Sequence, residues 1–237
     1  MPEKFTINSD LLAQARVSLS KRKKLYWIVG GAGSGKTTIS KALSAQFNIP
    51  IYDMDAQIYG AYHGRFTQER HPVNKAWTTA ENGLAFLLDL TWEAFNQFNQ
   101  AALPEYLDLL AEDLDATDPK AGILIDGGIS NPALVAEVIS PRQMICLAGP
   151  KRSSAEIWEG SDERSSMKEY IYQLSNPEAA WHKFLEFDEN INQTVIKESQ
   201  ENGISICSRG ETESVDDYAK RVANRLGIQQ HSQEAFQ

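Results

Sequence analysis

The residues best able to do chemistry lie in one glycine-rich stretch, Gly30-Gly31-Ala32-Gly33-Ser34-Gly35-Lys36-Thr37-Thr38. The stretch fits the pattern G-x-x-x-x-G-K-[ST] of a phosphate-binding P-loop. Glycines allow successive backbone N–H groups to approach a β-phosphate, and a following helix adds its positive N-terminal end. Lys36 would then neutralise the β- and γ-phosphates, and the Thr37 hydroxyl would bind Mg²⁺. The stretch therefore predicts a site for ATP with Mg²⁺; the alternative is a glycine-rich turn without a ligand.

Three aspartates follow apolar runs that are expected to be strands: Asp53, Asp55 and Asp126. Residues two apart in a strand share a face, so Asp53 and Asp55 are expected to leave their strand on the same side, near the phosphates. Asp53 is predicted to hold a Mg²⁺-bound water or to accept the acceptor's proton. Asp126 precedes two glycines and is predicted to reach Mg²⁺ through water. For Asp53 and Asp55 the alternative is a helix cap or a solvated turn. For Asp126 the alternative is a tight turn.

Five short apolar runs must position these residues. They cover Leu25–Val29, Ile49–Met54, Gly122–Asp126, Gln143–Ala148 and Ile204–Cys207. Because the runs alternate with helical patterns, they predict a parallel sheet with helices on both faces and ligands at the carboxyl ends of the strands.

Helical spacing of apolar residues locates the elements around the sheet. A flanking N-terminal helix is predicted at 6–20, a helix after the glycines at Lys36–Phe47, and a last helix at Ser214–Leu226. Residues 56–120 contain no strand-like run and are predicted to form a helical insertion, with helices at Glu81–Asn99 and Pro104–Leu114.

Composition indicates a single domain spanning 1–237. The 237 residues are 42% hydrophobic and 23% charged, which suffices for one substantial core. A net charge of −9 counts against a nucleic-acid partner. Cys146 and Cys207 lie in apolar runs and are predicted to be buried free thiols. With no apolar run near membrane-spanning length, the sequence predicts a cytoplasmic protein that does not bind membranes.

The glycine-rich stretch, Asp53-Met54-Asp55 and Ile123-Leu124-Ile125-Asp126 together resemble P-loop kinases of the shikimate, gluconate and nucleoside-monophosphate kinase group. The resemblance covers residues 22–228. It implies a three-layer P-loop NTPase fold with sheet order 2-3-1-4-5, and transfer of the γ-phosphoryl of ATP to a small-molecule acceptor. It also implies that Asp55 hydrogen-bonds an acceptor hydroxyl. The insertion departs from the small members of the group, so the resemblance does not identify the acceptor.

Four arginines are candidates for further roles. The resemblance implies a lid-like segment at 150–185, in which Arg164 and Arg152 would add positive charge during transfer; a solvated helix face is the alternative. It also places Arg209 where it would stack on adenine, rather than lie in a surface turn. Arg65 and Arg70 in the insertion are predicted to bind an anionic acceptor, and a structural role is the alternative.

Other functions remain open from the sequence. A P-loop ATPase or switch protein would act through a protein partner, with the 56–120 insertion as the interaction surface. A kinase-like toxin that phosphorylates a sugar nucleotide would use similar residues. A nucleic-acid motor would require a further basic channel, against which the charge of −9 counts.

Overall fold

A five-stranded sheet forms the centre of the computed structural model, which describes residues 5–118, 122–149, 152–160 and 162–229. The strands are β1 (Leu25–Val29), β2 (Ile51–Asp53), β3 (Ile123–Asp126), β4 (Met144–Ala148) and β5 (Ser205–Ser208). Each pairs in parallel with its neighbours, in the order β2-β3-β1-β4-β5. The prediction of five strands in a parallel α/β sheet is confirmed, with small shifts at the strand ends.

Helices connect the strands. They are α1 (Ser9–Leu19), α2 (Lys36–Phe47), α3 (Met54–Ala56), α4 (Pro72–Thr78), α5 (Gly83–Leu88), α6 (Trp92–Asp115), α7 (Pro132–Ala136), α8 (Ser154–Glu159), α9 (Asp162–Ile171), α10 (Pro177–Glu201) and α11 (Val215–Leu226). A π-helical turn, Gln57–Ala61, continues α3. Within the described ranges, no helix combines the length and apolar character needed to cross a lipid bilayer.

The central strand β1 shows why the sheet has helices on both faces. Its side chains alternate between two apolar cores, as the pleat requires. Trp27 and Val29 pack in the core that holds residues of α1, α6 and α7, whereas Tyr26 and Ile28 pack in the core with α2 and α11. Cys146 and Cys207 are buried free thiols, as predicted. The structure places one of them in each core.

The helical insertion differs from its predicted boundaries. The expected helix Glu81–Asn99 is divided into α5 and α6, because Asn82 and Thr91 each cap the start of a new helix. The expected start at Pro104 is wrong, since α6 runs through this proline. A proline inside a helix costs about 3 kcal/mol, and burial of the surrounding side chains in the core offsets this cost.

Candidate functional site

The glycine stretch forms a loop, here called the glycine loop (residues 30–37), that leaves β1 and enters α2. Gly35 is the N-cap of α2 and has a φ of 86°, a left-handed conformation that favours glycine. Within the described chain, no side chain caps this helix start. The first N–H groups of a helix have no intrahelical partners and carry partial positive charge. The loop therefore presents unsatisfied N–H groups to an anion.

Two helices cover the glycine loop closely. A Cβ on Gly31 would lie 1.2 Å from Oδ1 of Asn192 in α10, and one on Gly33 would lie 3.0 Å from the Ile157 side chain in α8. A side chain at Gly31 would force the Asn192 side chain to move, and one at Gly33 would crowd that of Ile157. All the residues expected to bind nucleotide at 30–38 line one cavity, with the exception of Ser34, which is buried.

Lys36 lies over the glycine loop. Its Nζ donates hydrogen bonds to the carbonyl oxygens of Gly30 (2.6 Å) and Gly31 (3.0 Å). Burial lowers the pKa of the Lys36 ammonium, and the nearby carboxylates of Asp55 and Asp126 partly oppose that shift. An ammonium in this position is a cation available to a ligand on the loop.

Asp126 ends β3 beside the loop, where β3 pairs with both β1 and β2. Its side chain is buried, and within the described residues its Oδ1 has no hydrogen-bond partner. Burial raises the pKa of this carboxyl, while the nearby Thr37 hydroxyl lowers it. A buried carboxylate oxygen without a partner is costly, so this atom indicates a place where water or a ligand is expected to bind.

Asp53 and Asp55 do not leave β2 on one side, so that expectation is wrong. The chain turns into α3 directly after Asp53, whose carboxylate accepts a hydrogen bond from the Ala56 N–H (2.9 Å) and caps α3. Asp55 lies in the first turn and lines the cavity, where its carboxylate accepts from the Gly128 N–H (3.1 Å). The pKa of Asp55 is raised because the surrounding protein desolvates its carboxylate, and the charge of Lys36 partly opposes this shift.

Because Asp53 caps α3, we expect its side chain to contribute to the free energy of unfolding. Replacing Asp53 with alanine should lower the free energy of unfolding by about 1 kcal/mol, because the Ala56 N–H loses its acceptor. Asp53→Asn keeps a capping oxygen and should change it by only a few tenths of a kcal/mol. Urea unfolding of both variants measures the difference; equal stabilities would contradict the capping role.

Arg164 and Asp188 also line the cavity. The Arg164 guanidinium lies 5.4 Å from the Trp158 ring centroid and donates to the Ile157 carbonyl (3.4 Å). Its positive charge acts to lower the pKa of both Lys36 and Asp188. Asp188 is buried and accepts from the Ser154 hydroxyl at 2.6 Å. The cavity lining thus includes a cation from α9 as well as Lys36 of the loop.

Of the described cations in the expected lid-like segment, Arg164 is the one that lines the cavity. Arg152 is exposed and is not among the described lining residues. Lys168 forms an ion pair with Glu159 (2.7 Å), and Lys151 lies outside the described residues. Arg209 is also exposed and outside the described cavity lining, with its Nε donating to the Glu213 carbonyl (2.7 Å). The expected base-stacking role of Arg209 stays a prediction.

Arg65 and Arg70 contact carboxylates of α6 instead of the cavity. Arg65 pairs with Asp113 (2.6 Å), and Arg70 makes two hydrogen bonds of 2.6 Å to Asp108. Neither arginine belongs to the described lining of the cavity. Their charges are already balanced where they lie, so the structural alternative accounts for both, and we do not retain them as acceptor ligands.

Asp108 forms a hydrogen-bonded cluster with Arg70 and His71. We expect this cluster to stabilise the fold. Burial alone would raise the pKa of Asp108, but hydrogen bonds from His71 and Arg70 hold the pKa below its ordinary value. Asp108→Ala should lower the free energy of unfolding by about 2–3 kcal/mol; Arg70 is half-exposed, which limits the effect. Because the folded pKa is depressed, this stability is present above about pH 4 and is lost as pH falls further.

Urea unfolding at pH 7 and at acid pH tests this prediction, with the exposed Asp89→Ala as the matched control. The control should stay within about 0.5 kcal/mol of the unmodified chain. An Asp108→Ala variant as stable as this control would contradict the structural role of the cluster.

The cavity as a whole has a volume of about 1120 Å³. One part of its wall comes from the glycine loop, and another from helices of the insertion and from α10. Sequence reasoning missed Asp188 and Asn131, which both line the cavity. Asp188 had a signal, since this acid lies between Phe187 and Ile191 on the apolar face of α10. Asn131 follows β3 in a loop and carried none.

No protein-family model matches the chain, and no curated protein sequence matches it. Among solved structures, the chain is similar to the crystal structure of TT1252 from Thermus thermophilus, at 19% sequence identity and a TM-score of 0.46. The match covers 86% of this chain and 96% of that one. A function for the chain must therefore be argued from its own residues.

Proposed function

We propose that the chain is a P-loop phosphotransferase that moves the γ-phosphoryl group of ATP, with Mg²⁺, to a small-molecule acceptor. The observation that carries the proposal is the arrangement at the glycine loop. There Lys36 Nζ lies over the loop carbonyls, beside the uncapped start of α2. An ammonium and a set of free N–H groups at one place suit a polyphosphate. The parallel sheet agrees with this proposal, because such sheets bind ligands at their carboxyl edge.

The loop and Lys36 would act on the phosphates. The free N–H groups of the loop and of the first turn of α2 would hold the β-phosphate, and the Lys36 ammonium would lie against the β- and γ-oxygens. Arg164, which lines the same cavity, would compensate the negative charge that spreads over the γ-phosphoryl oxygens. Positioning and charge compensation account for most of the catalysis in this class of reaction.

The residues beside the loop fit a magnesium ion bound together with nucleotide. The Thr37 hydroxyl in the first turn of α2 and the unpartnered Oδ1 of Asp126 at the end of β3 are neighbouring hard oxygen donors. Within the described chain, no group of three carboxylate, histidine or cysteine side chains forms a ready metal site. That is compatible with Mg²⁺, which usually takes one or two protein ligands plus phosphates and water. When bound, Mg²⁺ would neutralise phosphate charge.

Asp55 is the better candidate for the base than Asp53. Its carboxylate lines the cavity and interacts with Lys36, whereas Asp53 is engaged as a helix cap. The acceptor hydroxyl would give its proton to Asp55 while its oxygen forms a bond to the γ-phosphorus. The bond to the bridging oxygen breaks, and ADP leaves with that electron pair.

Acceptor-dependent ADP formation tests the proposal. Purified protein is incubated with Mg·ATP alone and with separate pools of sugars, nucleosides, organic acids and neutral alcohols. We expect at least one pool to raise the rate of ADP formation well above the acceptor-free rate. ATP binding verified by thermal shift, with no response to any pool, would overturn the transfer step and favour a switch protein that acts through a partner.

A further inference from the structure

We infer that the acceptor is an uncharged hydroxyl compound with a largely apolar body. This inference rests on the proposed function, because it concerns the part of the same cavity that lies beyond the glycine loop. At about 1120 Å³, the cavity is at the upper end of the range for small-molecule sites. It has room for a second molecule beside the phosphates of ATP.

The insertion supplies one wall of this cavity, here called the helical wall: its lining residues between positions 58 and 106. No Asp, Glu, Lys or Arg occurs among the described residues of the helical wall. The wall consists mostly of apolar and aromatic side chains, including Trp77, Leu84, Leu88, Phe95, Leu103 and Tyr106. Such a surface gains from covering apolar ligand atoms.

An anionic acceptor would meet no lysine or arginine on the helical wall, where His63 is the basic residue of the described lining. Removing a negative charge from water without a permanent cation beside it is unfavourable. Lys36 and Lys41 of α2 and Arg164 of α9 are the lysine and arginine residues of the described cavity lining, and Arg65 and Arg70 are paired with carboxylates of α6 outside the cavity. A neutral ligand avoids this cost.

Two asparagines of the lining supply polar atoms of opposite kind. Asn131 is 1% exposed, and its Nδ2 donates to Asn96 Oδ1 (3.0 Å) and Glu198 Oε1 (3.2 Å). A carboxylate accepts only, so this contact fixes the amide orientation and leaves Oδ1 as the atom without a partner in the described chain. Asn99 Nδ2 is a buried donor likewise unpaired among the described residues. A neutral hydroxyl both donates and accepts, so it is a suitable partner for either atom.

A matched pair of probes tests the inference. Naphthylethanol and naphthylacetate share an aromatic body and differ in ending with a hydroxyl or a carboxylate. Isothermal titration of each into the full chain, with Mg·ADP present, should give a dissociation constant at least about tenfold lower for the alcohol. Equal affinities, tighter binding of the carboxylate, or binding of neither probe would overturn the inference.

Leu84 allows the site of binding to be checked. It lines the cavity and is half-buried, so a substitution there should be tolerated by the fold. Leu84→Glu should weaken naphthylethanol binding at least about tenfold, whereas Leu84→Met, which keeps the apolar volume, should stay within about threefold. Unchanged binding in Leu84→Glu, with the fold verified by circular dichroism, would show that the probe binds elsewhere and contradict the inference.

Failure of the inference and failure of the proposed function give different results. Binding of the alcohol without ADP formation from any acceptor pool would leave the apolar site in place and remove the kinase activity. Acceptor-dependent ADP formation together with preference for the carboxylate probe would keep the kinase activity and remove the neutral-acceptor inference.

Discussion

Lys36→Ala should lower the rate of phosphoryl transfer by about 100- to 1,000-fold, the loss expected when a charge-compensating donor is removed. The ammonium lies at the mouth of the glycine loop, and no other lysine donates to the loop carbonyls among the described hydrogen bonds. ADP formation at saturating Mg·ATP measures the effect.

The fold should survive the Lys36 substitution. Burial lowers the pKa of Lys36, which means that its charge is held at some cost to the folded state. We therefore expect the melting temperature to change by no more than about 4 °C. Lys197→Ala, at an exposed position of α10, is the matched control and should leave the rate unchanged. Normal transfer by Lys36→Ala would remove the assigned role of the loop.

Asp55→Asn should give the second-largest effect, a fall in transfer rate of about 100-fold or more, with little change in ATP affinity. The amide keeps the size of the side chain and an acceptor for the Gly128 N–H, but cannot take a proton. Because the pKa of Asp55 is raised, the rate of the unmodified chain should begin to fall, on acidification, at a pH above the ordinary aspartate value of about 3.9.

Asp53→Asn is the matched control for Asp55, since it makes the same chemical change two residues away. We expect this variant to keep most of the transfer rate, because asparagine also caps α3. A large loss in Asp53→Asn with normal transfer in Asp55→Asn would reverse the two roles and restore Asp53 as the base.

The strands and α2 were predictable because local signals define them. Each strand is a short apolar run bounded by turn residues, and the central strands are buried on both faces. The predicted range of α2 agrees with the observed Lys36–Phe47, since left-handed residues flank it at Gly35 and Asn48. Such backbone preferences act within a few residues and are visible in sequence.

The contacts of the arginines were not predictable in the same way. Arg70, in the turn before α4, contacts Asp108, which follows it by 38 residues and belongs to α6. No local pattern shows which of many carboxylates an exposed-looking arginine will reach. The turn at Asp53 was missed for a related reason: β2 ends early, so the strand periodicity that placed Asp53 and Asp55 together does not extend to Asp55.

Helix α6 shows a conflict between local and long-range energies. The local cost of a proline inside a helix predicts a helix boundary at Pro104. The helix nevertheless continues through this proline into the apolar core. The helical wall also depends on this packing, because Phe95 of α6 stacks on Phe187 of α10 with ring centroids 4.6 Å apart. The apolar character of the cavity was therefore hidden until the two helices were placed together.

Equilibrium binding of Mg·ATP tests the central claim most directly. Isothermal titration of Mg·ATP into the purified chain should give one site with a dissociation constant below about 1 mM, weaker binding when Mg²⁺ is chelated, and much weaker binding in Lys36→Ala. Absence of Mg·ATP binding by the folded chain, or equal binding by Lys36→Ala, would contradict the assignment of the glycine loop as a phosphate site.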